Sequence, residues 1–336
     1  MSSLKNALTV RDVVLDPPVA LAPMVGLSHS AMRSLIVRLG GAGLFFTEML
    51  AAKHLPHENP LSPYIVCSSE ESPLFYQIFI NETECIPAAL EVLHKLGADG
   101  VDINLGCPAP QVRRRGAGSF LAEDRDRVCD IVRELRARTS LPLTAKIRLG
   151  KKLDRENLQD FSKMLEDEGV DLLSVHARIH GEKFCRRPRW QWVSSVTEHV
   201  RIPVLVNGGI FSVADARKAL ELSGADGVML GRGGVTQPLL FARIAREIFD
   251  CPLSIPSVSQ AEIYWQFYEL LVARFAPERR LGRLKQYTPY FAANYAFGHS
   301  LATKVQKSKT IEEARDIAEE FFARNVPCDC VDFSEE

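Results

Sequence analysis

The stretch from Gly100 to Leu121, G-V-D-I-N-L-G-C-P-A-P-Q-V-R-R-R-G-A-G-S-F-L, gathers residue types that could do chemistry. Its start, Val101-Asp102-Ile103, reads as a short strand. Cys107 then falls between Gly106 and Pro108. Proline removes a backbone donor and restricts the residue before it, so this cysteine belongs to a loop at a strand's C-terminal end. Scaffolds commonly place reactive groups on such loops. Asn104 supplies an amide three residues earlier, and Arg113, Arg114 and Arg115 supply charge for an anion. The competing interpretation is a loop cysteine that is simply buried.

Two glycine-rich segments follow: Leu205-Val206-Asn207-Gly208-Gly209-Ile210 and Val228-Met229-Leu230-Gly231-Arg232-Gly233. Glycines let backbone N–H groups approach an anion, and Arg232 adds a forked cation. A phosphate fits there, from a flavin mononucleotide or a phosphorylated metabolite; the alternative is glycines that only turn the chain. Lys146, in T-A-K-I-R-L-G, has apolar neighbours and is costly to bury without an anion facing it. The pyrimidine edge of a reduced flavin would be such a partner. Gln77 and His176 could hydrogen-bond the same ring, and Pro23-Met24-Val25 could offer it an apolar surface.

Something must bring these residues together. Short apolar runs at 19–23, 44–47, 74–78, 101–104, 143–148, 172–176, 204–207 and 227–230 read as strands. Amphipathic stretches at 86–96, 127–138, 157–168 and 213–222 read as helices between them. Eight strands alternating with helices predict an α/β protein with a (β/α)8 TIM barrel over residues 1–250. No G-x-G-x-x-G follows the first strand, which weakens a dinucleotide-binding sheet. The barrel predicts that the polar residues ending nearly every strand share one rim. A linker over 251–257 leads to helical patterns at 261–276, 281–294, 301–308 and 310–324, with a capping-box spacing at Thr310 and Glu313. These predict a small helical bundle with its own core in 258–336.

Apolar residues at 46% and charged residues at 25% of 336 suit a globular chain, and no apolar run reaches the roughly 18 residues a membrane span needs. The N-terminus lacks a signal-like apolar core, so a cytoplasmic location is expected. The eight cysteines form no C-x-x-C pair, and Cys328-Asp329-Cys330 reads as an incidental tail, so no metal site is expected. The net charge of −1 argues against a uniformly basic surface. Between residues 258 and 310, however, eight Lys/Arg face three acids and ten aromatics interleave with them. That composition suits phosphate contact and base stacking, or equally an aromatic core with a solvated charged face.

The motifs A-P-M-V-G, T-E-M, Q-I-F, N-L-G-C-P, K-I-R-L-G, V-H-A-R, N-G-G-I and G-R-G-G, in this order, resemble those of the tRNA-dihydrouridine synthases over nearly the whole chain. The resemblance implies a barrel holding FMN, a C-terminal helical domain holding tRNA, and reduction of uridine with NADPH or NADH. It implies flavin contacts from Pro23, Met24, Val25, Gln77, Lys146, His176, Asn207, Gly208, Gly209, Gly231 and Arg232. Cys107 would be the proton donor, a role that suits a thiol protonated at neutral pH. Asn104 and Arg148, with Arg178 as a further candidate, would hold a base flipped into the barrel mouth. Ser28-His29 stands where the family usually shows Thr-Asp, and Gly209 where it commonly shows an acid. No membrane contact and a monomer are expected. The rival readings are a flavin barrel acting on a small molecule and a non-catalytic RNA-binding barrel.

Overall fold

The computed structural model describes residues 6–327, and in it eight parallel strands surround one axis. They are β1 (Val19–Leu21), β2 (Phe45–Phe46), β3 (Leu74–Phe79), β4 (Gly100–Asn104), β5 (Leu143–Arg148), β6 (Leu172–His176), β7 (Val204–Asn207) and β8 (Gly227–Leu230). Neighbours in sequence pair side by side, and β8 returns to β1 with Leu230 opposite Leu21. Between β1 and β2 the ladder shrinks to one bridge, Ala20 to Leu44, reinforced by Leu21 N–H donating to the Leu44 carbonyl at 2.9 Å. The second predicted strand is therefore shorter than its apolar run.

Six helices of nine residues or more cover the outside: α1 (Ser30–Leu39), α2 (Ile86–Lys95), α3 (Arg125–Arg138), α4 (Arg155–Asp167), α5 (Val213–Ser223) and α6 (Leu240–Ile248). Asp124, Asp154 and Ser212 cap α3, α4 and α5 by accepting an N–H three residues on, at 3.2, 3.2 and 3.0 Å. Gly224, with φ of 64°, ends α5 in the left-handed conformation that glycine adopts most cheaply. The alternation breaks after β2, where residues 52–73 form turns and two short 3-10 helices, and again after β6, where the only α-helix is the four residues Ser194–Thr197. Arg33 anchors the first of these segments, donating to Glu71 at 2.8 Å in an ion pair shut off from solvent and to the Ser28 carbonyl at 2.9 Å.

Strands facing core on both sides read as near-continuous apolar runs. One layer, with Ala20, Phe46, Phe75, Leu172, Leu205 and Met229, forms a separate cluster. An N-terminal hairpin, Leu8–Val10 with Val13–Leu15, contributes Leu8, Val10 and Leu15 to it. The hairpin has no counterpart in the sequence reading.

The C-terminal helices are α7 (Gln260–Arg274), α8 (Pro277–Ala292), α9 (Gly298–Lys307) and α10 (Ile311–Arg324). The complete capping box lies at Ser259 and Glu262. At Thr310 only half of the expected box forms, because Glu313 accepts from Lys309 N–H instead of its own cap residue. The core of these helices, where Tyr264 packs on Tyr287, Phe291 and Phe322, is continuous with the barrel's: Met32 and Leu35 of α1 share one apolar cluster with Ile263, Phe267, Tyr287 and Phe291. Stacking on bases fails for most of the aromatics. Tyr264, Phe267, Phe275, Tyr287, Phe291 and Tyr295 are buried, and among the ten only Phe297 is well exposed, at 64%. His29, where the expected aspartate is missing, is sealed between Phe267 and Phe275, with ring centroids at 6.0 and 4.8 Å. Burial first, then Arg283 and Arg33, pushes it down to about 3, so it packs as a neutral ring. Cys328 and Cys330 lie outside the described residues. No helix among the described residues is long and apolar enough to cross a membrane.

Candidate active site

A cavity of about 450 Å³ opens at the C-terminal ends of the strands. All fifteen residues named as cofactor, substrate or catalytic candidates line it: Pro23, Met24 and Val25 after β1; Gln77 on β3; Asn104 and Cys107 on and after β4; Lys146 and Arg148 on β5; His176 and Arg178 on and after β6; Asn207 on β7, with Gly208 and Gly209 after it; Gly231 and Arg232 after β8. Parallel strands end together on one rim, so residues up to two hundred positions apart become neighbours. Arg113, Arg114 and Arg115 do not line it; Arg113 lies over Phe120 and Arg115 over Phe79, at 6.0 and 5.5 Å.

The cysteine loop is held by its own sequence. Ser119 N–H donates to the Cys107 carbonyl at 3.0 Å, and a Cβ on Gly118 (φ 66°) would meet that carbonyl oxygen at 2.5 Å. The G-A-G-S turn is therefore the other half of the Cys107 loop. Asn104 Oδ1 accepts N–H bonds from Cys107 at 2.9 Å and Gly106 at 3.3 Å.

Charge is one-sided here. Among the described residues the cavity is lined by one lysine and three arginines and by no aspartate or glutamate. Lys146 Nζ donates to Asn207 Oδ1 at 3.0 Å, and Asn207 in turn donates to the Met229 carbonyl at 2.8 Å. Burial, and then Arg148, push Lys146 down to about 8. His176 is driven well below its usual value by burial and then by Lys146, Arg148 and the neighbouring arginines, so it is a neutral imidazole that meets Arg178 Nη1 at 3.2 Å. Such a surround is unfavourable by itself and becomes favourable around an anion.

Gly208 and Gly209 have φ of 108° and 71°, and a Cβ on Gly208 would strike the His176 ring at 2.5 Å. Glycine is required there for the backbone path as well as for space. Trp190 Nε1 fixes the turn by donating to the Gly208 carbonyl at 2.8 Å.

Several lining residues were not legible in the sequence. Phe184 projects from the loop after β6, stacked on His176 at 6.0 Å and beneath the guanidinium of Arg232 at 4.8 Å. Arg178 holds that loop, donating to Phe184 and Arg186 carbonyls at 3.1 and 2.5 Å, so its donors serve the loop. Met49 and Phe211 line the cavity as well. Gln286 and Tyr290, one turn apart on α8, close it from the helical side. Gln286 donates to the Val25 carbonyl at 2.9 Å, close enough that a Cβ on Gly26 (φ 79°) would meet its amide at 2.1 Å. The i, i+4 spacing of Gln286 and Tyr290 was a visible signal, but nothing marked which face of α8 met the barrel.

Residues 20–324 match the family model described as dihydrouridine synthase. The chain belongs to the dihydrouridine synthase family. Members are flavin-dependent oxidoreductases, and the cation-lined cavity suits an anionic cofactor. The chain is 31% identical over 315 residues to the tRNA-dihydrouridine(16) synthase of Neisseria meningitidis serogroup B, covering 90% of this chain and 94% of that protein. It is 28% identical to the "Probable tRNA-dihydrouridine synthase 1" of Synechocystis, covering 93% and 88%. Among solved structures, a variant of NCR from Zymomonas mobilis superposes with a TM-score of 0.53 at 16% identity, over 76% of this chain and 93% of that one, a likeness of fold alone. The barrel followed by helices that the resemblance implies is the fold observed.

Proposed function

We propose that this protein forms dihydrouridine in tRNA by reducing the 5,6 double bond of a uridine, with FMN as cofactor and NADPH or NADH as reductant. The observation that carries the reading is the convergence of Cys107, Asn104 and four cations on one carboxylate-free cavity closed by α8.

The residues present fit FMN. Lys146 is a half-buried cation whose hydrogen bond goes to a neutral amide, so an anionic ring edge suits it; Gln77 and His176 line the same cavity. Asn207 to Gly209, with Gly231 and Arg232, would take the phosphate, and Pro23 to Val25 would lie along the ring. When bound, the flavin supplies the hydride delivered to carbon 6.

The chain's own groups do the rest. Cys107 Sγ gives its proton to carbon 5 as the double bond is lost. Asn104 and Arg148 donate to the base oxygens, where charge develops. Arg148 is anchored by donating to the Ile179 carbonyl at 3.0 Å, and Arg178 holds the neighbouring loop. The base must leave its stack to enter, and exposed lysines and arginines of 258–310, such as Arg279, Lys304, Lys307 and Lys309, would hold the RNA outside.

The test is purification with its flavin, followed by incubation with NADPH and unmodified tRNA and mapping of dihydrouridine, starting with position 16. Product at a defined position is expected. A protein that holds flavin but oxidises NADPH equally with and without tRNA would support the small-molecule reading. One that binds tRNA without flavin would support the non-catalytic reading.

A further inference from the structure

Asp102 lies inside β4, fully buried, and no step of the proposed reaction uses it. It accepts from Thr144 Oγ1 at 2.6 Å and from Gln77 Nε2 at 2.6 Å. Gln77 Oε1 accepts from Asn104 Nδ2 at 2.8 Å, and Asn104 Oδ1 accepts the N–H groups of Cys107 and Gly106. One line of hydrogen bonds thus runs from a buried carboxylate to the backbone of the cysteine. The register makes it possible: Gln77 sits opposite Asp102, and Asp102 opposite Thr144, on three adjacent strands.

The line has a direction. An ionised carboxylate only accepts, so Gln77 must turn its NH₂ toward Asp102 and its oxygen toward Asn104. Asn104 must then present NH₂ to Gln77 and its oxygen to the loop. The loop end agrees, since backbone N–H groups only donate. Two amides that could each sit either way round are fixed by their ends. What Asn104 has left is one N–H, facing only the weak acceptor Met49 Sδ at 3.7 Å.

We propose that Asp102 is a positioning residue: through Gln77 and Asn104 it orients the loop that carries Cys107 and leaves Asn104 a donor toward whatever enters the cavity. The proposal rests on the reading of Cys107 as proton donor to uridine. A buried carboxylate is a costly group to keep in a barrel interior, where a hydrophobic residue packs at no such cost. Its retention here has a use only if the orientation of the amides matters.

The test uses the full, flavin-loaded chain and the variants Asp102→Leu and Asp102→Asn. Leucine removes the acceptor while keeping the same branched skeleton, with methyl groups bulkier than the oxygens they replace. Hydrogen exchange in the peptide spanning residues 104–108 should quicken by about tenfold, the loss of roughly one hydrogen bond. The kcat for uridine reduction should fall on the order of 10- to 100-fold, the effect of a misplaced catalytic group. KM for tRNA should stay within about twofold and the flavin spectrum should persist, a split that general damage would not produce. Asparagine can still offer its oxygen to Gln77 while the Thr144 hydroxyl turns to accept, so Asp102→Asn should restore both readouts to within about threefold of wild type. Wild-type exchange and kcat in the leucine variant, or an asparagine variant as impaired as leucine, overturns the proposal. If the leucine variant lacks a cooperative melt, Asp102→Ala takes its place under the same criteria. The exchange measurement needs no RNA, so it decides on Asp102 even if the wild-type protein makes no dihydrouridine and the functional reading fails.

Discussion

Glu48, at the end of the strand-two segment, is 7% exposed; one oxygen engages the Gly26 N–H and Oε1 has no hydrogen-bond partner. Burial raises its carboxyl from 4.5 to about 7, with Gly26, Arg283 and Arg33 opposing the shift. A carboxyl raised in the folded state binds more protons folded than unfolded. Its stabilisation is therefore complete below about pH 4.5 and is lost as the pH climbs through about 7. With these two values, Glu48 weakens the fold by about 2.5 kcal/mol between pH 5 and pH 8. Glu48→Gln keeps an oxygen for Gly26 and cannot ionise. Urea unfolding of both proteins at several pH values should show the variant gaining on wild type by about 2 to 3 kcal/mol from pH 5 to pH 8, since all other titrations cancel in the difference. A difference that stays flat across this range would refute the reasoning: Glu48 would then ionise in the fold as it does in the unfolded chain.

Cys107→Ala should retain the flavin absorbance near 450 nm while uridine reduction falls by about 100-fold or more, read by dihydrouridine mapping; full turnover in that variant removes the proton-donor role. Gly208→Ala places a Cβ 2.5 Å from the His176 ring at a φ of 108°, so a destabilisation of about 2 to 4 kcal/mol with loss of bound flavin is expected by melting and absorbance. Lys146 is held down to about 8 by burial, so below that pH its charge opposes folding, and the penalty fades as the pH rises toward 10.5. Lys146→Met should therefore make the flavin-free protein more stable at pH 7 and weaken flavin binding, seen as a higher Tm with a poorer titration; a lower Tm would contradict the burial cost.

Much of this molecule follows from local rules. Period marked the eight barrel strands, because that signal acts over a few residues, whereas two of the helix starts, expected at 127 and 157, lie two residues earlier, just after Asp124 and Asp154. The rim could be foreseen because consecutive parallel strands must all end on the same side, which turns fifteen distant positions into one cavity. Tertiary structure decided what depends on contact between distant surfaces. The aromatics of 258–310 read equally as stacking platforms or as core, and packing against one another across α7, α8 and α10, and against α1, made most of them core. Phe184, Gln286 and Tyr290 reach the cavity through a loop and a helix face whose docking no local pattern encodes. Asp102 looked like a polar interruption in an apolar strand until the register placed Gln77 and Thr144 on either side of it. Hydrogen-bond direction is a property of the assembled pairs, so it exists only once the strands have met.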